Sequence, residues 1–158
     1  MSSDWPSRES CLVVFAQRGD ARIDLPAWSQ HAERFFGTRL ALPAGKHYGE
    51  IPPLVDAAEF VLARPEVPPV RRKGFARPRE DEDLALAETA EARAGHTGLL
   101  LLAGRCPMVW MVRLESSEDV EALRLATILA SVLLGPILDV GRSQLFGVKT
   151  ARSKLQQG

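Results

Sequence analysis

Two stretches in the C-terminal half, Leu99-Leu-Leu-Leu102 and Met108-Val-Trp-Met-Val112, carry no polar residue at any position. A strand with one wet face alternates apolar and polar side chains, whereas an unbroken apolar run suits a strand covered on both faces. The runs are separated by Ala103-Gly104-Arg105-Cys106-Pro107, with the proline at the start of the second, where a strand tolerates it. This spacing predicts a hairpin over 99–112, and a chain containing it needs layers on both sides of its sheet. The next element, a helix predicted over 117–134, is capped by Ser116 or Ser117 and carries Glu118 and Asp119 in its first turn. It stops at Gly135-Pro136, and its polar positions, Glu121, Arg124, Thr127 and Ser131, form only a narrow stripe. Two arrangements satisfy so much apolar surface. Either the helices of this chain cover the sheet from both sides, or part of the surface is an oligomer or partner interface.

The rest of the chain fills in around that pair. Residues 1–10 are polar, contain Pro6, and are expected to form a flexible arm; Cys11 to Ala16 reads as a first strand. Asp24 stands at an N-cap ahead of Pro26, and Leu25, Trp28, Ala32, Phe35 and Phe36 recur at helical spacing before Gly37. Residues 43–80 hold seven of the eleven prolines and are expected to be irregular. Within them, Pro53 and Pro65 bracket a short helix predicted over Leu54 to Ala63, and Val67 to Arg79 reads as an extended, exposed connection. Glu80-Asp81-Glu82-Asp83 opens a helix over Leu84 to Ala94, where negative charge favours the N-terminus, and Gly95 stops it. Ile137 to Val140 and Gln144 to Val148 suggest a closing hairpin, and residues 149–158 a polar, partly helical tail. The expected fold is α+β, with a largely antiparallel sheet of about five strands and three to four helices, in the order β-α-α-α-β-β-α-β-β. A single domain is expected over 11–148.

Charge restricts the partners. Twenty basic and twenty acidic side chains balance, so any nucleic acid, anionic membrane or acidic partner must be held by a local patch. Val120 to Val140, the longest apolar stretch, is broken by Arg124, Pro136 and Asp139, so no membrane span is expected. With two cysteines and no signal-like opening, a reducing cytoplasm is the expected compartment, and abundant Ala, Leu, Arg and Pro fit a high-GC bacterial source.

No spacing announces catalysis. Cys106 has Arg105 beside it, which can lower a thiol pKa, but no base can be assigned from His31, His47 or His96. The histidines and cysteines lack metal-ligand spacing, and no phosphate-loop or nucleophile-elbow pattern occurs, so neither metal nor cofactor is expected. Gly45-Lys46-His47-Tyr48-Gly49 lacks the strand–loop–helix setting of a phosphate site and reads as a plain turn. One local feature stands out. Within 71–79, Arg71, Arg72, Lys73, Phe75 and Arg77 interleave cations with an aromatic ring, opposed by the acids at 80–83.

The leading expectation is a non-enzymatic domain that binds another protein, as an adaptor, accessory subunit or toxin-neutralising immunity protein. It would act through apolar surface and the Pro/Arg-rich segment containing Arg71, Arg72, Lys73, Phe75 and Arg77; a homo-oligomer is a variant of the same reading. The alternatives are an enzyme or small-ligand binder whose site gathers Arg105, Cys106, His31 and Tyr48, and a weak nucleic-acid binder using residues 71–79.

Overall fold

Strand β1 (Cys11–Ala16) is buried at all six positions, so its two faces need two separate cores. The computed structural model describes residues 6–42, 57–95 and 97–157. After β1 come α1 (Leu25–Phe36), β2 (Arg39–Ala41), β3 (Ala57–Arg64), β4 (Val67–Pro78), α2 (Asp81–Ala94) and α3 (Leu99–Gly104). The chain continues through β5 (Met108–Arg113), α4 (Val120–Leu133), β6 (Ile137–Asp139), β7 (Gln144–Phe146) and α5 (Val148–Gln157). The strands form one sheet in the order β2-β3-β4-β5-β1-β6-β7, and every neighbouring pair is antiparallel. The α+β class is as expected; among the described residues there are seven strands and five helices rather than about five and three to four.

The period-two alternation of side chains assigns each core. Leu12, Val14, Phe60, Leu62, Trp110 and Ile137 point to one face, where Trp28 of α1 and Leu125, Ile128 and Leu129 of α4 cover them. Here Trp28 meets Trp110 edge-on, with ring centroids 6.1 Å apart. Cys11, Val13, Phe15, Phe75, Val109 and Met111 point to the other face, under Ala87 and Ala90 of α2 and Ala103 of α3. Helices of this chain thus cover the central strands from both sides. The two layers are unequal: the first core draws on all seven strands, whereas the second contains no residue of β2 or β3.

Local signals hold at α1, where Asp24 accepts from Ala27 N–H at 3.3 Å and Gly37 closes the helix at φ 57°. They hold again at β1, β5 and the β6–β7 hairpin, and α2 starts as expected at the acidic run. The α4 cap is Asp119 rather than a serine, and the polar tail is the helix α5.

Two elements are corrected. The helix expected over 54–63 is, from Ala57 onward, strand β3, while residues 54–56 lie outside the described residues. Phe60 and Leu62 alternate with Glu59 and Val61, and β4 supplies a twelve-residue partner, so 57–78 is a hairpin rather than an irregular stretch. Its two-residue turn, Pro65-Glu66, sets Glu66 at φ 66°. The strand expected over 99–102 is instead α3. Both ends of this short helix are held from elsewhere. Glu91 Oε1 accepts from Leu100 N–H at 2.9 Å, and Arg79 Nη1 donates to the carbonyls of Gly104 and Cys106, each at 2.9 Å. The partners of β5 are therefore β4 and β1, not the leucine run.

At the end of α4 the chain runs against β1, with Gln17 N–H donating to Leu133 O and Phe15 N–H to Pro136 O. A Cβ on Gly135 would lie 1.9 Å from the Phe15 carbonyl oxygen, so glycine is needed there. That leaves Leu134, 62% exposed, in the left-handed conformation at φ 61°. In urea denaturation, Gly135→Ala should lower stability by at least about 3 kcal/mol through overpacking. Leu134→Gly should raise it by about 1 kcal/mol by removing the left-handed penalty.

Candidate functional site

The cation-rich stretch 71–79 forms the second half of β4 and its exit, and strand alternation separates its side chains. Arg72 points to the α1/α4 face, where its guanidinium binds the N-cap carboxylate of α4 in parallel bonds: Nε to Asp119 Oδ2 at 2.8 Å and Nη2 to Oδ1 at 3.0 Å. Arg77 points the other way and forks onto Asp83 in the first turn of α2, with bonds of 2.7 and 2.9 Å, both side chains buried. Asp83 also accepts from Arg8 Nε at 2.8 Å and from Glu80 N–H at 2.8 Å, and Arg8 further binds Glu80 and Glu82. The last residues of the expected arm, Arg8–Ser10, form a 3-10 turn that delivers this arginine. Phe75 is 5% exposed beneath α2 and has no face open to a nucleobase.

Of the five residues singled out in this stretch, Arg72, Phe75 and Arg77 are thus committed to the interior. Arg71 and Lys73 are exposed, on the sheet face that α2 and α3 leave uncovered over β2 and β3. Sharing that face by register are Arg39 and Ala41 of β2, and Glu59, Val61 and Ala63 of β3. Arg113 belongs to it as well. Cys11 opposes Arg113, and extending the Gly74–Val112 register by one position sets Lys73 opposite the same residue. Like charges directly opposed on neighbouring strands destabilise a sheet, by a few tenths of a kcal/mol at such exposure. Arg71 pairs with Glu59 at 3.2 Å, and Arg39 reaches Glu33 only at 4.0 Å with both side chains well exposed. Among the described residues, Lys73 and Arg113 have no ion pair. Among the described residues, the face carries four cations, one carboxylate and a small apolar centre. Arg113 was not singled out from sequence, because its membership depends on strand register.

Of the described residues of the alternative site, Cys106 and His31 are not brought together. Cys106 is fully buried among the residues under α2 and α3, its thiol donating to Leu102 O at 3.3 Å, while His31 lies beyond the opposite face of the sheet. Tyr48, His47 and the 45–49 turn lie outside the described residues, as does His96. Burial pushes the Cys106 thiol up to about 11, only partly countered by Arg79, and burial raises Cys11 to about 11 as well. Both are protonated, inert thiols at neutral pH. His31 Nε2 lies 2.6 Å from Ser131 Oγ, joining α1 to α4. Burial, then the nearby Arg152 charge, hold the imidazole below its ordinary pKa. Ser131 sits in regular helix, and no carboxylate pairs with His31 among the described residues, so the couple lacks the orienting group of a hydrolytic triad.

A cleft of about 340 Å³ opens between the start of α4, the β6–β7 hairpin and α5, lined by Leu12, Leu123, Phe146, Asp139, Arg142 and Lys154. Its charges are satisfied locally. Arg142 bonds Ser117 O at 3.1 Å and Asp139 at 3.5 Å, and Lys154 lies over the Phe146 ring at 5.1 Å. No group of three His, Cys, Asp or Glu side chains among the described residues could hold a metal ion, and no described helix is long and apolar enough to cross a membrane.

Two outcomes check this assignment. At pH 8, both cysteines of the native protein should be silent to a thiol reagent and react fully once unfolded in guanidinium. For Asp83, burial raises the carboxyl pKa, but the bonds from Arg77 and Arg8 outweigh it and hold the group below its ordinary 3.8. Its stabilisation is therefore complete above 3.8 and is lost as pH falls through the lower folded value. Asp83→Asn should remove about 3–5 kcal/mol at pH 7 and flatten the acid limb of the stability curve.

Compared with protein-family models, curated proteins and solved structures, the chain matches none of them.

Proposed function

We propose that this chain is a non-enzymatic protein-binding domain, of the adaptor, accessory-subunit or toxin-neutralising immunity kind, and that it binds through the uncovered face of β2, β3 and β4. The observation that carries this reading is the unequal covering of the sheet. One face is roofed along all seven strands, while the other leaves Ala41, Val61 and Ala63 half-buried among exposed Arg39, Arg71 and Lys73. An apolar centre rimmed by charge is the usual anatomy of a protein interface. The buried, high-pKa thiols and the unoriented Ser131–His31 couple favour binding over catalysis. With Phe75 in the interior, this face also lacks the aromatic platform that single-stranded nucleic-acid binders use.

The test is steric. Ala63 is half-buried at the β3–β4 turn end of the face, opposite Arg39 and two residues from Val61, so Ala63→Trp obstructs the Arg39, Ala41 and Val61 part of the surface from outside with little effect on either core. Affinity capture from the source lysate should retain at least one protein on the wild type that the Ala63→Trp variant loses, at unchanged thermal stability. Identical captured sets, or none with either protein, would count against binding at this face.

A further inference from the structure

We infer that the partner engaged by this face presents an acidic, partly apolar segment of another protein; the inference rests on the reading of the β2–β3–β4 face as the docking surface. Among the described residues, four cations, Arg39, Arg71, Lys73 and Arg113, share the face with one carboxylate, Glu59. In a chain whose charges balance at twenty of each sign, that is a concentration rather than an average.

The acidic cluster at the start of α2 does not cancel it. Lys73 lies four strand residues before Arg77, about 13 Å at 3.3 Å per residue, which exceeds the Debye length at physiological salt. The carboxylate at the end of that distance, Asp83, is already bound by Arg77 and Arg8. Lys73 and Arg113 face each other across neighbouring strands with no ion pair among the described residues. Glu59, opposite Lys73 on the other side, is engaged by Arg71 at 3.2 Å, so a carboxylate placed between Lys73 and Arg113 meets two cations that make no ion pair of their own among the described residues.

The chemistry also selects against other occupants. A second copy meeting face to face brings the same four cations against themselves. A nucleic acid satisfies the charge but leaves Ala41, Val61 and Ala63 without apolar contact and finds no ring to stack on. A protein segment carrying Asp or Glu beside Val or Leu satisfies both.

The probes are a short labelled peptide alternating Glu and Val, its Lys–Val counterpart, and duplex DNA. The Glu–Val peptide should bind the full chain, shift the amide resonances of Val61, Arg71, Lys73 and Arg113, and weaken as salt rises. The pair Lys73→Glu and Arg113→Glu should cut its affinity at least about tenfold. The milder pair Lys73→Met and Arg113→Met should lie between, with unchanged urea denaturation showing that both variants remain folded. The inference is overturned if the Lys–Val peptide binds equally well, if charge reversal leaves affinity unchanged, or if DNA binds more tightly and displaces the peptide. The two readings fail separately. A lysate partner lost with Ala63→Trp but kept after charge reversal retains the docking face and removes the acidic partner. One kept by both variants removes the face itself.

Discussion

Strand β4 holds the molecule together through two guanidinium–carboxylate clamps aimed in opposite directions. Arg72 grips the N-cap of α4 on one face of the sheet, and Arg77 grips the first turn of α2 on the other. Each carboxylate also serves its own helix: Asp119 accepts from Ala122 and Glu115 N–H, and Asp83 from Glu80 N–H. An arginine whose planar fork matches a carboxylate already fixed by backbone donors loses little further freedom on binding. The cost of burying charge is offset only because every lone pair finds a donor, which makes the arrangement intolerant of losing any one member.

Those clamps decide what remains for binding. With Arg72 and Arg77 drawn inward and Phe75 packed beneath α2, the interleaved cations and ring of 71–79 do not form one surface. The residues left outside, Arg71 and Lys73, join Arg39 and Arg113 from other strands. The surface arises because α2, anchored at Arg77, crosses toward β7, so that among the described residues no helix packs on this face of β2 and β3.

Where local physics and tertiary physics agreed, elements were legible. Asp24, Pro26 and Gly37 bracket α1 with a cap, a first-turn proline and a left-handed stop, and no distant contact is needed to understand it. The leucine run 99–102 shows the opposite. Unbroken apolar sequence is equally compatible with a doubly buried strand and a short helix, and the decision lies with Glu91 and Arg79, which bond its backbone ends from outside the segment. The proline brackets around 54–63 misled for a related reason: proline limits where a helix starts and stops, but the long partner strand 67–78 favours extended backbone between the same limits.

Sequence by itself determined that the strand over 108–112 is buried on both faces, that the class is α+β, and where the caps of α1 and the acidic start of α2 fall. These follow from side-chain period and from capping, both of which act within a few residues. Tertiary structure alone decided which cations of 71–79 face solvent, that Arg113 stands beside Lys73, and that Cys106 and His31 are separated by the sheet. Strand register and helix placement set those facts, and they depend on contacts between residues a hundred or more positions apart, such as His31 with Ser131 and Cys11 with Arg113, to which a local pattern is blind.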